Sequence, residues 1–412
     1  MASNERCFGV WLYEWRVGLL RQRGDYTWFT FDEHYLADQA RPVLGLFFEQ
    51  DLRARHASAL RLPPWFSNLL PEGRLREWIA AARRVSPERE MELLAQVGHD
   101  LPGAVRVLPD DGESGGERDT TGFAATGAGM REDQPSAAGW RFSLAGVGLK
   151  FSMVRQNDRL TLPAFGEGGD WIVKLPDRVH SDVPRNEHAM MSLAAAGVEV
   201  PDIQLVHREQ LDNLPPDVWP GAEEWAFAIR RFDRDAGRGS VHIEDLAQVR
   251  NLYPDRKYTG NYETVAALVY RRRDLGALRE IVRRITFSVL ISNGDAHLKN
   301  WSLIYRDRRV PTLSPAYDLV STAAYRGDGE PEDLGLKLGG TRQFARIGVK
   351  SFARLERRLR APGEAHLADV AAETVERTRA CWAEHAGLLA ASPFLLDAVD
   401  RSIQTHSRTL LG

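Results

Sequence analysis

The stretch ISNGDAHLKNWSLIY, residues 291–305, carries the reading of this chain. Apolar residues at helical spacing from Leu275 to Ile291 predict a long helix. Asn293 and Gly294 follow it and read as C-cap residues. A polar loop comes next, with Asp295 and, five residues later, Asn300. Ser302 to Tyr305 reads as a short strand, and the charged residues 306–309 as a turn. A second β-type run, Leu313 to Leu319, then delivers Asp318. Helix, loop, hairpin and second carboxylate follow one another in a fixed order.

Phosphoryl transfer from ATP calls for such an order. One carboxylate must orient the attacking hydroxyl and take its proton, while a second carboxylate and a carboxamide hold Mg²⁺ against the phosphates. Magnesium suits oxygen ligands and keeps several of its waters, so few protein groups are needed. Asp295 fits the base, and Asn300 with Asp318 the metal pair. An Asp and an Asn five residues apart are common in turns, so the ordered set is what carries the reading.

Working outward, the chemistry also needs a cation for the phosphates. Lys174 stands inside the apolar run WIVKL, residues 171–175, where lysine is uncommon without a partner. Glu187, on a helix expected from Asn186 to Ala196, is the candidate partner. Upstream, SLAGVGLK (Ser143 to Lys150) places Gly146 and Gly148 between β-type segments, where backbone N–H groups can approach phosphates.

The remaining chain divides by composition. Residues 1–109 read as a compact α+β unit, with strands at 8–12 and 26–31, helices at 64–70 and 73–84, and a further helix starting at Ser86-Pro87. Residues 110–139 are rich in Gly, Ser, Thr, Asp and Glu and read as a flexible linker or insertion. Residues 140–240 read as β-rich, with strands at 141–153, 171–175 and 225–232; residues 241–412 read as mainly helical, starting with helices at 242–249 and 262–270 and ending with helices over 351–411. The expected architecture is therefore α+β and two-lobed, with the polar motifs at the junction.

The formal net charge of −3 argues against broad nucleic-acid binding through net charge. Two cysteines, Cys7 and Cys381, offer neither a CxxC pair nor a disulfide framework. The N-terminus shows no signal-peptide pattern, and no apolar run is long enough to span a bilayer, so a cytoplasmic location is expected.

Several ordered motifs together resemble the HipA family of bacterial toxin kinases from type II toxin–antitoxin systems. They are Ser143 to Lys150, WIVKLP (171–176), Arg185-Asn186-Glu187, RFDR (231–234), NGDAHLKN (293–300) and SPAYD (314–318). In the N-terminal unit, FSNLLPEG (66–73) and the Gly103-Ala104-Val105 element are similar to that family's N-terminal subdomain.

The resemblance implies a two-lobed protein-kinase-like fold and an ATP- and Mg²⁺-dependent serine/threonine kinase. It implies Asp295 as catalytic base, Asn300 and Asp318 as Mg²⁺ ligands, Lys174 on the ATP phosphates, and Ser143 as a regulatory autophosphorylation site. Gly146, Gly148, Lys150, Glu187 and Phe232 fall in the nucleotide-binding elements. It further implies a small helix-turn-helix antitoxin (HipB-like), DNA contact only through that antitoxin, and an aminoacyl-tRNA synthetase as the class of substrate. Two positions depart from the family pattern: Gly148 stands where glutamine is usual, and Arg230 where an acidic residue is usual. Two other readings compete: a kinase-shaped scaffold acting only in operator repression, and a kinase of small molecules or lipids. The joint presence of Lys174, Asp295, Asn300 and Asp318 weighs against the scaffold.

Overall fold

The computed structural model describes residues 5–110, 149–163, 168–215, 218–326 and 333–412. Ser143, Gly146, Gly148 and all but the first residue of the expected insertion at 110–139 lie outside the described residues.

Two sheets make up the first half. The N-terminal one is antiparallel throughout, in the order His56–Ala59, Tyr26–Phe31, Trp15–Arg23, Glu5–Leu12, Val105–Pro109. The second runs Leu211–Asp212, Arg159–Thr161, Lys150–Gln156, Trp171–Lys174, Trp225–Arg230, Ile203–His207. In that sheet Lys150 is the direct cross-strand partner of Lys174. Both sheets feed one continuous buried cluster, which holds Leu12 and Phe29 from the first, Trp65 and Leu94 from the helices of the same unit, and Phe151, Met153, Val173 and Ala228 from the second. The N-terminal unit is thus packed into the β-rich lobe.

Helices dominate the second half. Asn261 caps the helix Tyr262–Tyr270 by accepting from Thr264 N–H at 2.8 Å, and Asp274 caps Leu275–Leu290 by accepting from Ala277 N–H at 2.8 Å. Val349–Leu359, Leu367–His385 and Pro393–Leu411 close the lobe. A separate buried cluster ties the two lobes together: Ala189, Met190 and Leu193 of the helix Val183–Ala194 meet Phe227, Phe287, Trp382 and Ile403. The fold is α+β and two-lobed, as expected.

Several local expectations need correction. Residues 242–245 form a strand paired with Ser302–Tyr305, not a helix. The helix starts only at Leu246, where Asp245 and Gln248 exchange capping hydrogen bonds of 2.8 and 2.9 Å. The helix expected from Ser86-Pro87 begins at Glu90. Residues 86–89 turn instead, because the buried Glu90 carboxylate is drawn to Leu62 N–H and Ser67 Oγ, each at 2.9 Å. The left-handed residue after Leu275–Leu290 is Ser292 (φ 52°), not Asn293 or Gly294. Gly294 has a different reason to be glycine: a Cβ there would lie 2.1 Å from Arg326 Nη2 and 2.9 Å from the Asp333 carbonyl. The strand from Trp225 ends at Arg230. The strand Trp15–Arg23 and the pair Asp333–Leu338 and Thr341–Gln343 were not expected.

One buried ionic network joins the N-terminal unit to the second sheet. Asp233 accepts from Arg231 at 2.9 and 2.7 Å, from Arg234 at 3.0 Å and from Gly103 N–H at 2.8 Å. Gly103 sits at φ 75°, and a Cβ there would press against Ile243 N at 2.8 Å. Asp100 completes the network, 3.3 Å from Arg234. Removing one partner of a buried pair strands the other charge, at a cost of roughly 3–5 kcal/mol. Arg231→Ala is therefore expected to lower stability by that order. Arg230→Ala should cost under about 1 kcal/mol, because Arg230 pairs with Asp202 at the surface, where the side chains are 48% and 69% exposed. Denaturant midpoints for the two variants check this, and equal losses would refute the role given to the network.

Candidate active site

Lys174 ends its strand with its ammonium between two carboxylates. It donates to Glu187 Oε1 at 2.6 Å and to Asp318 Oδ1 at 2.5 Å. Three elements far apart in sequence meet there: the strand Trp171–Lys174, the helix Val183–Ala194 and the segment after Thr312–Leu313. Asn186, one residue before Glu187, reaches across the lobes. It donates to Ser321 O at 2.8 Å and accepts from Ser321 N–H at 3.0 Å. One helix therefore fixes both the lysine and the segment carrying Asp318.

Asp318 adopts a left-handed conformation (φ 61°), which Asp tolerates better than most residues but still at some cost. Burial works to raise its pKa, and Lys174 and Lys150 outweigh burial and hold it below the usual carboxylate range. Burial lifts Glu187 to about 7 despite the attraction of Lys174. Burial would lower Lys174, but Asp318 and Glu187 keep it firmly protonated. Lys150 falls to about 8 through burial and the neighbouring Lys174 charge.

The loop opposite is built by short-range bonds. Asp295 N–H donates to Asn293 Oδ1 at 3.0 Å, and Asn300 Nδ2 donates to the Asp295 carbonyl at 3.0 Å. The second bond commits the amide nitrogen of Asn300 and leaves its oxygen as the ligating end. Tyr317 OH donates to Lys299 O at 2.8 Å and pairs with Ser302 Oγ at 2.5 Å, tying the loop to the Asp318 segment.

A cavity of about 350 Å³ lies between the lobes, lined by Lys150, Lys174, Glu187, Phe232, Asp295, Asn300 and Asp318. The structure thus brings together every expected site residue that it describes. The donor set facing the cavity is oxygen-rich. Among the described residues no group of three or more His, Cys, Asp or Glu could hold a metal alone. A hard cation bound there by Asn300 and Asp318 would have to share its coordination with phosphates and water, which suits Mg²⁺.

Comparison with known proteins identifies the source of this arrangement. Residues 142–382 match the model of the HipA-like C-terminal domain, and residues 8–108 that of the HipA N-terminal domain. The chain belongs to the HipA family. Among similar proteins, the provisionally named kinase Y4dM of Sinorhizobium fredii is 42% identical over 93% of this chain and 92% of its own. The serine/threonine-protein kinase toxin HipA of Shewanella oneidensis is 26% identical over 73% of this chain and 72% of its own. The solved complex of Shewanella oneidensis HipA with HipB and operator DNA contains a chain of the same fold, with TM-score 0.72 and 20% identity over 98% of this chain and 97% of that one. Among the described residues no helix is long and apolar enough to cross a membrane.

Four site residues escaped the sequence reading: Asn68, Glu72, Lys299 and Tyr258. The ammonium of Lys299, beside Asn300, is buried against the N-terminal unit. It lies 2.9 Å from Glu72 Oε1 and donates to Asn68 O and Oδ1 at 3.1 Å. Lys257 also donates to Glu72, at 3.2 Å. FSNLLPEG, legible only as a family motif, is the piece of the N-terminal unit that grips the loop carrying Asp295 and Asn300.

Burial acts to raise the Glu72 pKa, but Lys299 and Lys257 overcome it and draw it from 4.5 to about 2. A depressed carboxyl contributes stability above its unfolded pKa, and that stability fades as pH falls toward the folded value. Glu72→Gln should therefore cost roughly 3 kcal/mol near pH 7, and the deficit should shrink between about pH 5 and pH 2. Denaturant unfolding at several pH values tests this, and a deficit independent of pH would assign the loss to packing rather than charge.

Proposed function

We propose that the protein is an ATP- and Mg²⁺-dependent serine/threonine protein kinase acting as the toxin of a toxin–antitoxin pair. The observation that carries this reading is the cavity itself, which Lys174, Glu187, Asp318, Asp295 and Asn300 line together. Lys174, steadied by Glu187, would hold nucleotide phosphates, and Lys150 beside it would add positive charge. Asn300 and Asp318 would hold Mg²⁺, which when bound neutralises charge on the phosphates. Asp295 would orient the acceptor hydroxyl and take its proton. Lys174 bridges directly to Asp318, so bound phosphates and metal would divide that pair between them.

Ser143 in the segment before Lys150 would be the autophosphorylation site. Phosphate there adds about −1.5 to −2 charge near a site built for anionic phosphates, so it would oppose nucleotide binding. The acceptor class, a translation factor such as an aminoacyl-tRNA synthetase, is carried by family resemblance alone. A helix-turn-helix antitoxin as partner, with DNA reached through it, is supported by the HipA–HipB–operator complex that shares this fold.

Intact and peptide mass after incubation with Mg·ATP tests the reading. One added phosphate is expected, on Ser143, and Asp295→Ala should slow its appearance by roughly 10²–10⁴-fold. Absence of phosphate together with no Mg·ATP shift in melting temperature would overturn the kinase and leave a scaffold working with the antitoxin.

A further inference from the structure

The Asp295 side chain is 47% exposed, so its carboxylate needs a partner to hold one rotamer. Asn300 does not supply one, because its amide bonds the backbone carbonyl of Asp295 and fixes the loop only. Tyr258 supplies the hydrogen bond, its hydroxyl donating to Asp295 Oδ1, while His297 Nε2 stands 3.9 Å from the same oxygen.

Tyr258 is itself held from several directions. The preceding carbonyl, Lys257 O, accepts from Leu298 N–H of the Asp295 loop at 3.0 Å. Lys257 Nζ is anchored on Glu72. The Tyr258 carbonyl accepts from Arg342 Nη2 at 2.7 Å. Its ring packs edge-on against buried His297, with centroids 5.0 Å apart and planes at 82°. Burial first, and the Asp295 charge second, raise the phenol above its ordinary pKa, so it remains a donor at neutral pH. A ring anchored through its own backbone and its neighbours is a fixed part of the site rather than a plug awaiting displacement.

We propose, resting on the assignment of Asp295 as base, that Tyr258 is a positioning residue for phosphoryl transfer, holding Asp295 through Oδ1 so that Oδ2 faces the acceptor hydroxyl. In the step, the acceptor oxygen bonds to the γ-phosphorus of ATP. The bond from that phosphorus to its bridging oxygen breaks, and the electron pair leaves on ADP. The acceptor proton passes to Asp295, while Tyr258 keeps its own proton throughout.

The test compares the full-length parent, Tyr258→Phe and Asp295→Ala in Mg·ATP turnover, with kcat and KM separated, alongside crystal structures of the parent and Tyr258→Phe. Tyr258→Phe is expected to lose about ten- to a hundredfold in kcat, with KM for ATP and melting temperature unchanged. Its Asp295 carboxylate is expected to leave the single rotamer held in the parent. Parental kcat in Tyr258→Phe beside an inactive Asp295→Ala overturns the proposal. So does a faster Tyr258→Phe, which would make the phenol an occupant of the acceptor seat. An Asp295→Ala as active as the parent overturns the base assignment, and this proposal falls with it. Where parental turnover is too slow to resolve, the crystal structures decide: Asp295 unmoved in Tyr258→Phe refutes the positioning role.

Discussion

A single ammonium group, that of Lys174, organises the junction between the lobes. Its Glu187 partner is almost fully buried, and Asp318 is held in a left-handed backbone conformation that costs of the order of 1 kcal/mol or more. Neither carboxylate is well placed without the lysine: Glu187 would be a buried charge without a counter-charge, and Asp318 would lose the group that draws it inward. The interaction therefore fixes the helix Val183–Ala194 against the sheet and the Asp318 segment against both. Asn186 doubles the link through Ser321, so the two lobes are registered at two adjacent residues of one helix.

A second set of contacts controls the loop that carries Asp295 and Asn300. There the N-terminal unit supplies Glu72 and Asn68 to Lys299 and Lys257, and the Lys257–Tyr258 segment bonds the loop that carries Asp295. The site thus depends on residues as far apart in the chain as Asn68 and Asp318. Lys174, Lys257 and Lys299 each meet a carboxylate there, which is what burial of charge demands.

The sequence made the cavity residues legible because phosphoryl chemistry dictates residue types in a set order along the chain. Asp295, Asn300 and Asp318 fall within a single helix–loop–hairpin, and Lys174 announces itself as a charge in an apolar strand. Lys299 and Asn68 could not be paired by any local rule, because 231 residues separate them. Tyr258 lies 37 residues from Asp295, in a stretch that reads only as a polar connection. The strand His242–Asp245 was hidden for a related reason. Its buried side chains are His242 and Glu244, and their partners are Leu44 O, Leu46 N–H, Trp65 and Tyr305, none of them near in sequence. Buried polar residues with distant partners defeat hydrophobic periodicity, and the neighbouring apolar turn Leu246–Val249 then extends the helix pattern backward over them.

The shared core of the two sheets bears on how this chain tolerates being cut. Val105–Pro109 pairs with Glu5–Leu12 on one side of the 111–148 connection, and Lys150–Gln156 pairs with Trp171–Lys174 on the other. Both flanks are fastened by cross-strand hydrogen bonds and by one continuous apolar interior. Covalent continuity through the connection is therefore not what keeps the halves together. The strand pairings on each flank and the core the two sheets share do not pass through it.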